Sequence, residues 1–347
     1  MDVYSRVVRP ALFCLGPQTA HRVARPLLRR AWACGLLAGE EVGIDPRLRV
    51  AVGELDLPGP IGLAPGFDKY GELTAGLSRL GFDYLVPGTV MADPEQDLRG
   101  CGIVRLPEEQ ALVNCLGLPS KGVEHSAREL ERNGSVVPLV ISVGARDLDG
   151  FRRAHARLEP LAAATELNVR CHNEETGAFD RLEEIEELLA AILEQRRKPL
   201  FLRINAARSD EERDAQLQLA GRAFELGIDG FSAVGTRLVR EDRRLVHGRG
   251  TMTGPPLLEC TLEAIGDLHE VSGGKTIIRA RGGISTGEDA YRAIAAGAAC
   301  VELFTAFVYR GFGVAHAIKR ELLQVMERNS VPSLENLRGS TAPTSVG

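Results

Sequence analysis

A thiol, an imidazole and two carboxamides lie close together in one short segment of the chain: Asn168, Cys171, His172 and Asn173. The segment begins in an apolar stretch where Leu167 and Val169 alternate with polar residues, a pattern typical of a strand that runs into a loop. Carboxamides can donate to and accept from a planar, amide-like ring at the same time, and a cysteine between them can take a proton as its thiolate. A plain surface loop is the competing interpretation of this isolated pattern.

Cationic side chains elsewhere in the chain could meet an anionic ligand. Lys69 lies in a turn rich in glycine and proline, where it could neutralise such a ligand or could simply be solvated. Arg203 lies inside the apolar run 200–204. Because a buried arginine requires an anion, a phosphate or a reduced cofactor is a reasonable partner for it.

Two segments late in the chain favour a phosphate site. Gly282 and Gly283 end one apolar run, and Ser285-Thr286 opens the helical stretch that follows. Leu303–Ala306 ends the next run. Glycines let backbone amides approach phosphate oxygens, and the loops after the last two strands of an α/β barrel form a recurrent phosphate site with a helix N-terminus.

These segments are separated by repeated units of an apolar run, a polar or glycine-rich turn and a helical stretch. The candidate strands are Pro60–Ala64, Tyr84–Val86, Val137–Val143, Thr165–Val169, Leu200–Ile204, Gly230–Val234, Thr276–Ile278 and Cys300–Phe304. Continuous apolar runs that alternate with helices indicate buried parallel strands. Eight such units favour a (β/α)8 TIM barrel. An open doubly wound sheet is the alternative, although no G-x-G-x-x-G pattern follows the first run.

The composition is that of a globular protein. Of the 347 residues, 44% are hydrophobic and 26% charged, and the formal net charge of −5 disfavours nucleic acid as the main partner. The 7 cysteines include no C-x-x-C pair, so neither a disulfide framework nor a metal site is expected. No apolar run approaches the ~18 residues of a membrane-spanning helix, and the N-terminus lacks a signal-peptide core.

The ends of the chain differ from its centre. Residues 1–42 are rich in arginine, and Gly16-Pro17 divides them into two stretches that predict short amphipathic helices. Such helices suit an anionic membrane surface, with a hairpin packed on its own domain or a solvated basic face as alternatives. We expect a peripheral protein on the cytoplasmic side of the membrane, or otherwise a cytoplasmic one. Residues 43–335 would form the barrel and 336–347 a flexible tail.

Several motifs resemble those of the dihydroorotate dehydrogenase family, specifically its class 2, the quinone-dependent, membrane-associated enzymes of pyrimidine biosynthesis. The resemblance covers nearly the whole chain. It is carried by Val8–Phe13 with Ala20-His21, Gly62–Glu72, Asn114–Gly117, Asn168–Asn173, Thr253-Gly254, Gly282-Gly283 and Phe304–Ala306.

The resemblance implies FMN as cofactor, dihydroorotate as substrate and a quinone as electron acceptor. Cys171 stands at the position of the base that removes a proton, with His172 as a less favoured base. The residues implied to bind substrate are Lys69, Asn114, Asn168, Asn173 and Thr236. Those implied to bind FMN are Ala64, Gly66, Thr89, Ser142, Asn168, Arg203, Gly254, Gly282, Gly283, Phe304 and Thr305.

The chain departs from the class 2 pattern at several positions. Class 2 enzymes carry a serine as the base, whereas Cys171 matches the soluble class 1 enzymes. The other departures are His172 for proline, Glu174 for threonine, Ser142 for asparagine, Arg203 for lysine, Gly235 for asparagine and Arg281 for a small residue. They leave two alternatives open: an FMN-dependent paralogue acting on another small ring or acid, and an inert barrel that serves as a binding module.

Overall fold

The structure is a computed structural model that describes residues 4–30, 34–35, 37, 43–53, 55–97, 102–169, 181–240 and 248–341. Its strands are β1 Val50–Val52, β2 Leu55–Leu57, β3 Ile61–Leu63, β4 Tyr84–Leu85, β5 Val90–Met91, β6 Pro94–Glu95, β7 Ile103–Leu106, β8 Ala111–Asn114, β9 Ser120–Lys121, β10 Val140–Gly144, β11 Ala164–Leu167, β12 Leu200–Ile204, β13 Gly230–Val234, β14 Arg237–Arg240, β15 Arg249–Thr253, β16 Ile277–Arg281 and β17 Cys300–Leu303. Its α-helices are α1 Arg9–Phe13, α2 Pro17–Leu28, α3 Thr74–Leu77, α4 Val123–Asn133, α5 Leu148–Leu158, α6 Leu182–Gln195, α7 Asp210–Glu225, α8 Leu258–Val271, α9 Gly287–Ala295, α10 Thr305–Arg310, α11 Val314–Arg328 and α12 Leu334–Leu337. A π-helical turn spans Tyr4–Val8, and 3-10 turns span Pro46–Leu48, Glu159–Leu161 and Pro255–Leu257.

The predicted TIM barrel is confirmed. Nine parallel strands pair in the order β4-β3-β17-β16-β13-β12-β11-β10-β5. The second barrel strand is interrupted, so that β4 and β5 form its two halves. A parallel bridge between Leu85 and Leu139 joins β4 to the segment that enters β10, and Leu85 N donates to Pro138 O at 3.1 Å. This contact closes the sheet on itself.

The apolar runs form strands because both of their faces are covered. Every residue of β10 and of β13 is buried, as expected when helices pack outside a parallel sheet and side chains fill its interior. The helix predicted to open at Ser285-Thr286 is α9, where Thr286 Oγ1 accepts from Asp289 N at 3.1 Å and caps the helix. The helical stretch expected between the first two strands, Glu72–Leu80, is shorter in the structure, where α3 spans only Thr74–Leu77.

A four-stranded antiparallel sheet, β14-β15-β8-β7, lies beside the barrel and has no counterpart in the sequence prediction. Its central pairing places Thr251 opposite Asn114. Tyr309 on α10 donates its hydroxyl to Ala111 O at 2.9 Å, which ties this sheet to the segment after the last barrel strand. The sheet therefore carries Asn114 to the carboxyl ends of the barrel strands.

The N-terminal residues form the two predicted helices. Gly16 separates α1 from α2, and Pro17 begins α2 where its missing N–H costs nothing. The end of α2 packs closely on α3, because a Cβ at Gly76 would overlap the carbonyl oxygen of Leu28. Among the described helices, none is long and apolar enough to cross a bilayer.

The C-terminal segment corrects the expectation of a flexible tail from residue 336. Leu337 in α12 is buried, and Arg338 donates from Nη2 to Thr276 O at 2.6 Å and from Nε to Gly297 O at 3.2 Å. The chain packs on the barrel as far as residue 341, because apolar and hydrogen-bonding side chains are interspersed among its small polar residues.

Candidate active site

A cavity opens at the carboxyl ends of the barrel strands. Its empty space, counted out to the mouth, is about 1240 Å³. The predicted site residues in its wall are Ala64, Gly66, Lys69, Thr89, Asn114, Arg203, Thr236, Gly254, Gly282, Gly283, Phe304 and Thr305. The barrel brings these residues together from nearly the whole length of the chain, because all parallel strands end on the same side.

One end of the cavity is formed by glycines and threonines. Gly254, Gly282 and Gly283 have φ of 116°, 107° and 83°, a region that favours glycine. Nearby, Thr305 Oγ1 donates to Thr253 Oγ1 at 2.9 Å. A wall of exposed backbone and hydroxyl groups suits a phosphate ester.

Two predicted residues lie behind the cavity wall instead of in it. Ser142 is fully buried and Asn168 is 3% exposed. Asn168 Nδ2 donates to Thr89 Oγ1 at 2.9 Å, and the hydroxyl oxygens of Ser142 and Thr89 are 3.0 Å apart. Thr89 thus lies between both residues and the cavity, and their assignment as cofactor ligands stays a prediction.

The predicted base falls outside the described residues. Cys171, Asn173 and the neighbouring His172 and Glu174 belong to the segment 170–180, which the structure does not describe. The assignment of Cys171 as base and of Asn173 as a substrate ligand therefore stays a prediction. The strand that leads into this segment, β11, ends beside the cavity at Leu167.

The barrel interior beneath the cavity holds two arginines and two glutamates, where most barrels of this kind carry branched aliphatic side chains. Arg279 Nη1 donates to Glu302 Oε1 at 2.6 Å, and Arg279 also contacts Glu166. Arg281 contacts Glu166, and its Nε lies 3.0 Å from Glu302 Oε2. Arg281 therefore points into the barrel, where its charge is matched by carboxylates.

Burial and mutual attraction set the charges in this cluster. Burial alone would raise the pKa of Glu166, but the guanidinium groups of Arg281 and Arg279 hold that pKa well below its ordinary value. Burial raises the pKa of Glu302 against the opposing effect of the same two arginines. Glu166 is therefore the carboxylate that stays ionised throughout the working pH range.

The sequence contained a pattern that could have revealed this cluster. Glu166, Arg279, Arg281 and Glu302 are isolated charges within apolar strands, and Arg279 and Arg281 occupy alternate positions that share one face of β16. Two buried acids and two buried bases on inward faces imply pairing. The partners could not be assigned, because the strands that carry them are far apart in sequence.

A second cavity lies between the N-terminal helices and the barrel. Its empty space is about 1690 Å³ counted out to its opening, and its walls are largely aromatic and aliphatic. The apolar and aromatic residues in its wall include Tyr4, Leu12, Phe13, Ala20, Leu28, Phe67, Phe307 and Phe312. His21 also lines it, with its pKa lowered to about 4 by burial and by the charges of Arg25 and Lys69, so its imidazole is neutral near pH 7.

The two cavities share part of their walls. The residues that line both are Gly66, Lys69, Ile103, Leu112, Leu116 and Phe304. A ligand in the barrel cavity and a ligand under the helices would therefore be separated by little more than one layer of side chains. This arrangement permits electrons to pass between two bound molecules without either leaving its site.

The sequence of residues 47–326 matches the family model of dihydroorotate dehydrogenase. The chain belongs to the dihydroorotate dehydrogenase family. It is 31% identical to the dihydroorotate dehydrogenase (quinone) of Roseiflexus castenholzii over 97% of this chain and 96% of that one. It is 32% identical to the dihydroorotate dehydrogenase (quinone) of Cereibacter sphaeroides over 98% of each chain.

The fold agrees with that of solved members of the family. The crystal structure of Eimeria tenella DHODH in complex with ferulenol superposes with a TM-score of 0.84 at 26% identity, covering 96% of this chain and 98% of that one. The ligand-free form from the same organism gives a TM-score of 0.82. Membership identifies an oxidoreductase, which disfavours the inert barrel.

Dihydroorotate dehydrogenases are flavin-dependent in general, and the barrel cavity is suited to a flavin mononucleotide. Its glycine and threonine end offers backbone amides and hydroxyls, which suit a phosphate, and the nearby carboxylate of Glu302 is paired with Arg281. Lys69, Thr89 and Arg203 also line the cavity, and their side chains can meet the carbonyl groups and nitrogens of a ring. Among the described residues, no group of His, Cys, Asp and Glu could hold a metal ion.

Proposed function

We propose that this protein oxidises dihydroorotate to orotate, with FMN in the barrel cavity and a quinone under the N-terminal helices as electron acceptor. The observation that carries the proposal is the shared wall of the two cavities, in which Lys69 and Phe304 face both. A single-cavity barrel would support substrate oxidation but would offer an apolar acceptor no place to bind. The names of the relatives, which include a quinone, point the same way.

Dihydroorotate would bind through its carboxylate and its ring amides. Lys69 offsets the carboxylate charge, and Asn114 at the end of β8 reaches the cavity with both a donor and an acceptor. Thr236, which also lines the cavity, supplies a hydroxyl on the opposite side. From the sequence, Asn173 is predicted to complete the amide contacts. Asn168 would support them through its hydrogen bond to Thr89.

FMN would lie across the mouth of the barrel. Its phosphate is assigned to the glycine and threonine end of the cavity. Its ring is assigned to the part of the wall that carries Lys69, Thr89 and Arg203. When bound, the flavin supplies the two-electron acceptor for the hydride that leaves the substrate. The residues proposed to hold it by direct contact are Ala64, Gly66, Thr89, Arg203, Gly254, Gly282, Gly283, Phe304 and Thr305.

Cys171 is proposed to remove the proton from the substrate ring. A positioned base of this kind contributes about 10²–10⁴ to the rate. Because the thiolate is the reactive form and a free cysteine has a pKa of about 8.5, a cationic neighbour would favour it. Lys69, Arg170 or His172 could be that neighbour.

The quinone would enter the apolar cavity between the helices and the barrel. His21 can donate a hydrogen bond to a quinone oxygen while remaining uncharged, because burial disfavours its imidazolium form. Phe67, whose ring centroid is 5.3 Å from that of His21, supplies an aromatic wall on the side of the barrel. We therefore assign quinone entry to the helical extension, residues 1–42, and flavin binding to the barrel, residues 43–335.

Peripheral contact with the cytoplasmic face of a membrane would bring the quinone to this entrance. Val7 in the N-terminal π-helical turn is 63% exposed and Val23 on α2 is 57% exposed, and Leu15 between the helices and Leu27 on α2 are also exposed. Arginines at positions 6, 22 and 30 lie among them and are attracted to anionic headgroups. Exposed apolar side chains framed by arginines are typical of a helix that lies in the membrane interface.

The test is a two-step stopped-flow experiment on the purified flavoprotein. Dihydroorotate should bleach the flavin absorbance, and a short-chain quinone should restore it. Cys171→Ala, which removes the base instead of replacing it with the serine of class 2, should retain flavin but bleach at least about 100-fold more slowly. Cys260→Ala, at a half-buried thiol on α8, should behave as wild type. A purified protein without flavin, or an unchanged bleaching rate in Cys171→Ala, would contradict the proposal.

One feature favours a second candidate, a related flavoenzyme with a different ring or acid as substrate. The asparagine of the family pattern at the end of β13 is replaced by Gly235, and a Cβ there would lie 3.1 Å from Arg281 Cδ. Arg281 thus occupies space that a substrate-binding amide would need. Flavin that is reduced by another dihydropyrimidine or acid, but not by dihydroorotate, would support this candidate.

A further inference from the structure

One continuous series of hydrogen bonds leads from the barrel floor to the wall of the barrel cavity. Ser142 Oγ donates to Glu166 Oε1 at 3.2 Å. The hydroxyl oxygens of Ser142 and Thr89 lie 3.0 Å apart. Thr89 in turn accepts from Asn168 Nδ2 at 2.9 Å and lines the cavity. The three links are made by buried side chains, so water does not compete for them.

The carboxylate of Glu166, at the buried end of the series, determines which group donates and which accepts in each hydrogen bond. An ionised carboxylate can only accept, so Ser142 must give its one hydroxyl hydrogen to Glu166. The oxygen of Ser142 then accepts from Thr89, which commits the one hydroxyl hydrogen of Thr89. Toward any ligand in the cavity, Thr89 can therefore only accept a hydrogen bond.

The arginines beneath the cavity keep this direction fixed. Glu166 is fully buried and contacts both Arg279 and Arg281, while Arg281 Nη1 donates to Glu166 Oε1 at 3.2 Å. Two cations beside one carboxylate hold its pKa well below the ordinary value despite its burial. Protonated Glu166 could donate to Ser142 and reverse the series, but the cluster disfavours that form.

We propose that Glu166 is a positioning residue that, through Ser142, turns Thr89 toward the cavity as a hydrogen-bond acceptor and so selects a ligand carrying a ring N–H at that place. The inference rests on the proposed function, because the ligand is the flavin or the substrate assigned to this cavity. The shared chemistry is the N–H of a cyclic amide or imide. The flavin ring carries one such group and the dihydropyrimidine ring carries others, so the experiment needs an arm for each.

The first arm measures flavin binding to apoprotein prepared from the full chain. FMN and 3-methyl-FMN, in which a methyl group replaces the imide hydrogen, are titrated by fluorescence quenching. The Kd ratio is the Kd of the methylated ligand divided by the Kd of the unmethylated one. The second arm titrates the FMN-loaded protein with orotate and with its two N-methyl derivatives, followed by the flavin absorbance. In each arm the Kd ratio reports how strongly the site depends on a ring N–H.

In one of the two arms, Ser142→Ala should reduce the Kd ratio by about three- to tenfold relative to wild type, the equivalent of one hydrogen bond. The reason is that Thr89 regains a free hydrogen and can donate to the methylated ligand's neighbouring oxygen. Thr89→Val should reduce the same ratio by removing the acceptor. Ser142→Ala leaves the contacts between Glu166 and the arginines in place, so the barrel should stay folded.

Thr165→Val is the matched control. Thr165 lies beside Glu166 on β11, is fully buried, and its hydroxyl has no hydrogen-bond partner within the described part of the chain. This variant should keep both Kd ratios at the wild-type value. If Thr165→Val reduced the Kd ratio as much as Thr89→Val does, the ratio would report general loosening of the barrel, and the inference would be overturned.

The outcomes separate this inference from the function on which it rests. Wild-type protein that takes up no FMN would overturn both. Protein that binds FMN and orotate, but whose Kd ratios are the same in wild type and Ser142→Ala in both arms, would overturn the positioning role alone. A ratio that changes only in the flavin arm assigns the N–H to the flavin, and one that changes only in the orotate arm assigns it to the substrate.

Discussion

Arg29 Nη2, directly after α2, lies 2.7 Å from Glu72 Oε2 in the loop after β3, and this pair joins the N-terminal helices to the barrel. The carboxylate of Glu72 is only 3% exposed and also contacts Arg25, Lys121 Nζ at 2.7 Å and His125 Nε2 at 3.3 Å. One buried acid thus faces three permanent cations, of which Arg25 lies on α2 and Arg29 directly follows it. This negative charge therefore helps to hold α2 over the second cavity, together with the packing of its end on α3.

Replacing Glu72 by glutamine should loosen α2 without disturbing the barrel cavity. We expect the free energy of unfolding to fall by about 1–3 kcal/mol, less than for a fully buried pair because the cationic partners are partly exposed. The KM for a quinone should rise, while flavin reduction by dihydroorotate keeps its rate. Steady-state and stopped-flow kinetics separate the two. Glu288→Gln, which removes an exposed partner of Arg328, is the control and should change neither.

Acidification should impair the quinone half-reaction through His21. Its pKa is lowered from 6.5 to about 4 in the folded protein, so between these values the unfolded chain binds more protons. The stabilisation from burying neutral His21 is therefore fully present above about pH 6.5. The free energy of unfolding falls by up to about 1.4 kcal/mol per pH unit as the pH falls toward 4. The quinone KM should rise over this window. His21→Leu should remove that dependence, and an unchanged pH profile in this variant would exclude His21 as the cause.

Membrane contact can be tested by changing two valines that are about equally exposed, one on α2 and one elsewhere. Val23→Asp places a negative charge among the arginines of α2 and should weaken binding to anionic vesicles in a sedimentation assay, by about tenfold if the side chain enters the interface. Val136 is 59% exposed and lies outside the helical extension, so Val136→Asp serves as the control. Equal binding by both variants would count against contact through α2.

The buried charge cluster should be sensitive to the loss of one member. Arg279→Met keeps the volume but leaves Glu166 and Glu302 with one cation, and we expect a loss of about 3–5 kcal/mol in urea unfolding. Adding Glu302→Gln to this variant should recover part of the loss, because the unmatched charge is removed with it. Arg328→Met, at an exposed ion pair, should cost at most about 1 kcal/mol. Additive losses in the double variant would show that the two residues act independently.

The sequence alone determined the barrel and most of the cavity wall. Strands such as β12 and β13 are continuous apolar runs because both faces are covered, so they can be recognised without knowing their neighbours. Once eight such units are counted, residues that follow the strands must meet at one end, which is why Lys69, Thr236 and Gly283 were correctly grouped. The resemblance to the family added the choice of flavin and substrate. It also supported the choice of Cys171 as the base, which the residue pattern had already suggested and which stays a prediction.

Only the tertiary structure decided which buried charges pair and which polar residues reach the cavity. Arg279 and Glu166 are 113 positions apart, and no periodicity in either strand identifies the partner. Ser142 lies within β10 and Asn168 directly follows β11, yet both stop one layer short of the cavity that Thr89 lines, because inward side chains of successive strands fill the barrel at different heights. Local pattern fixes whether a side chain points inward. Strand register and barrel closure fix what it meets there.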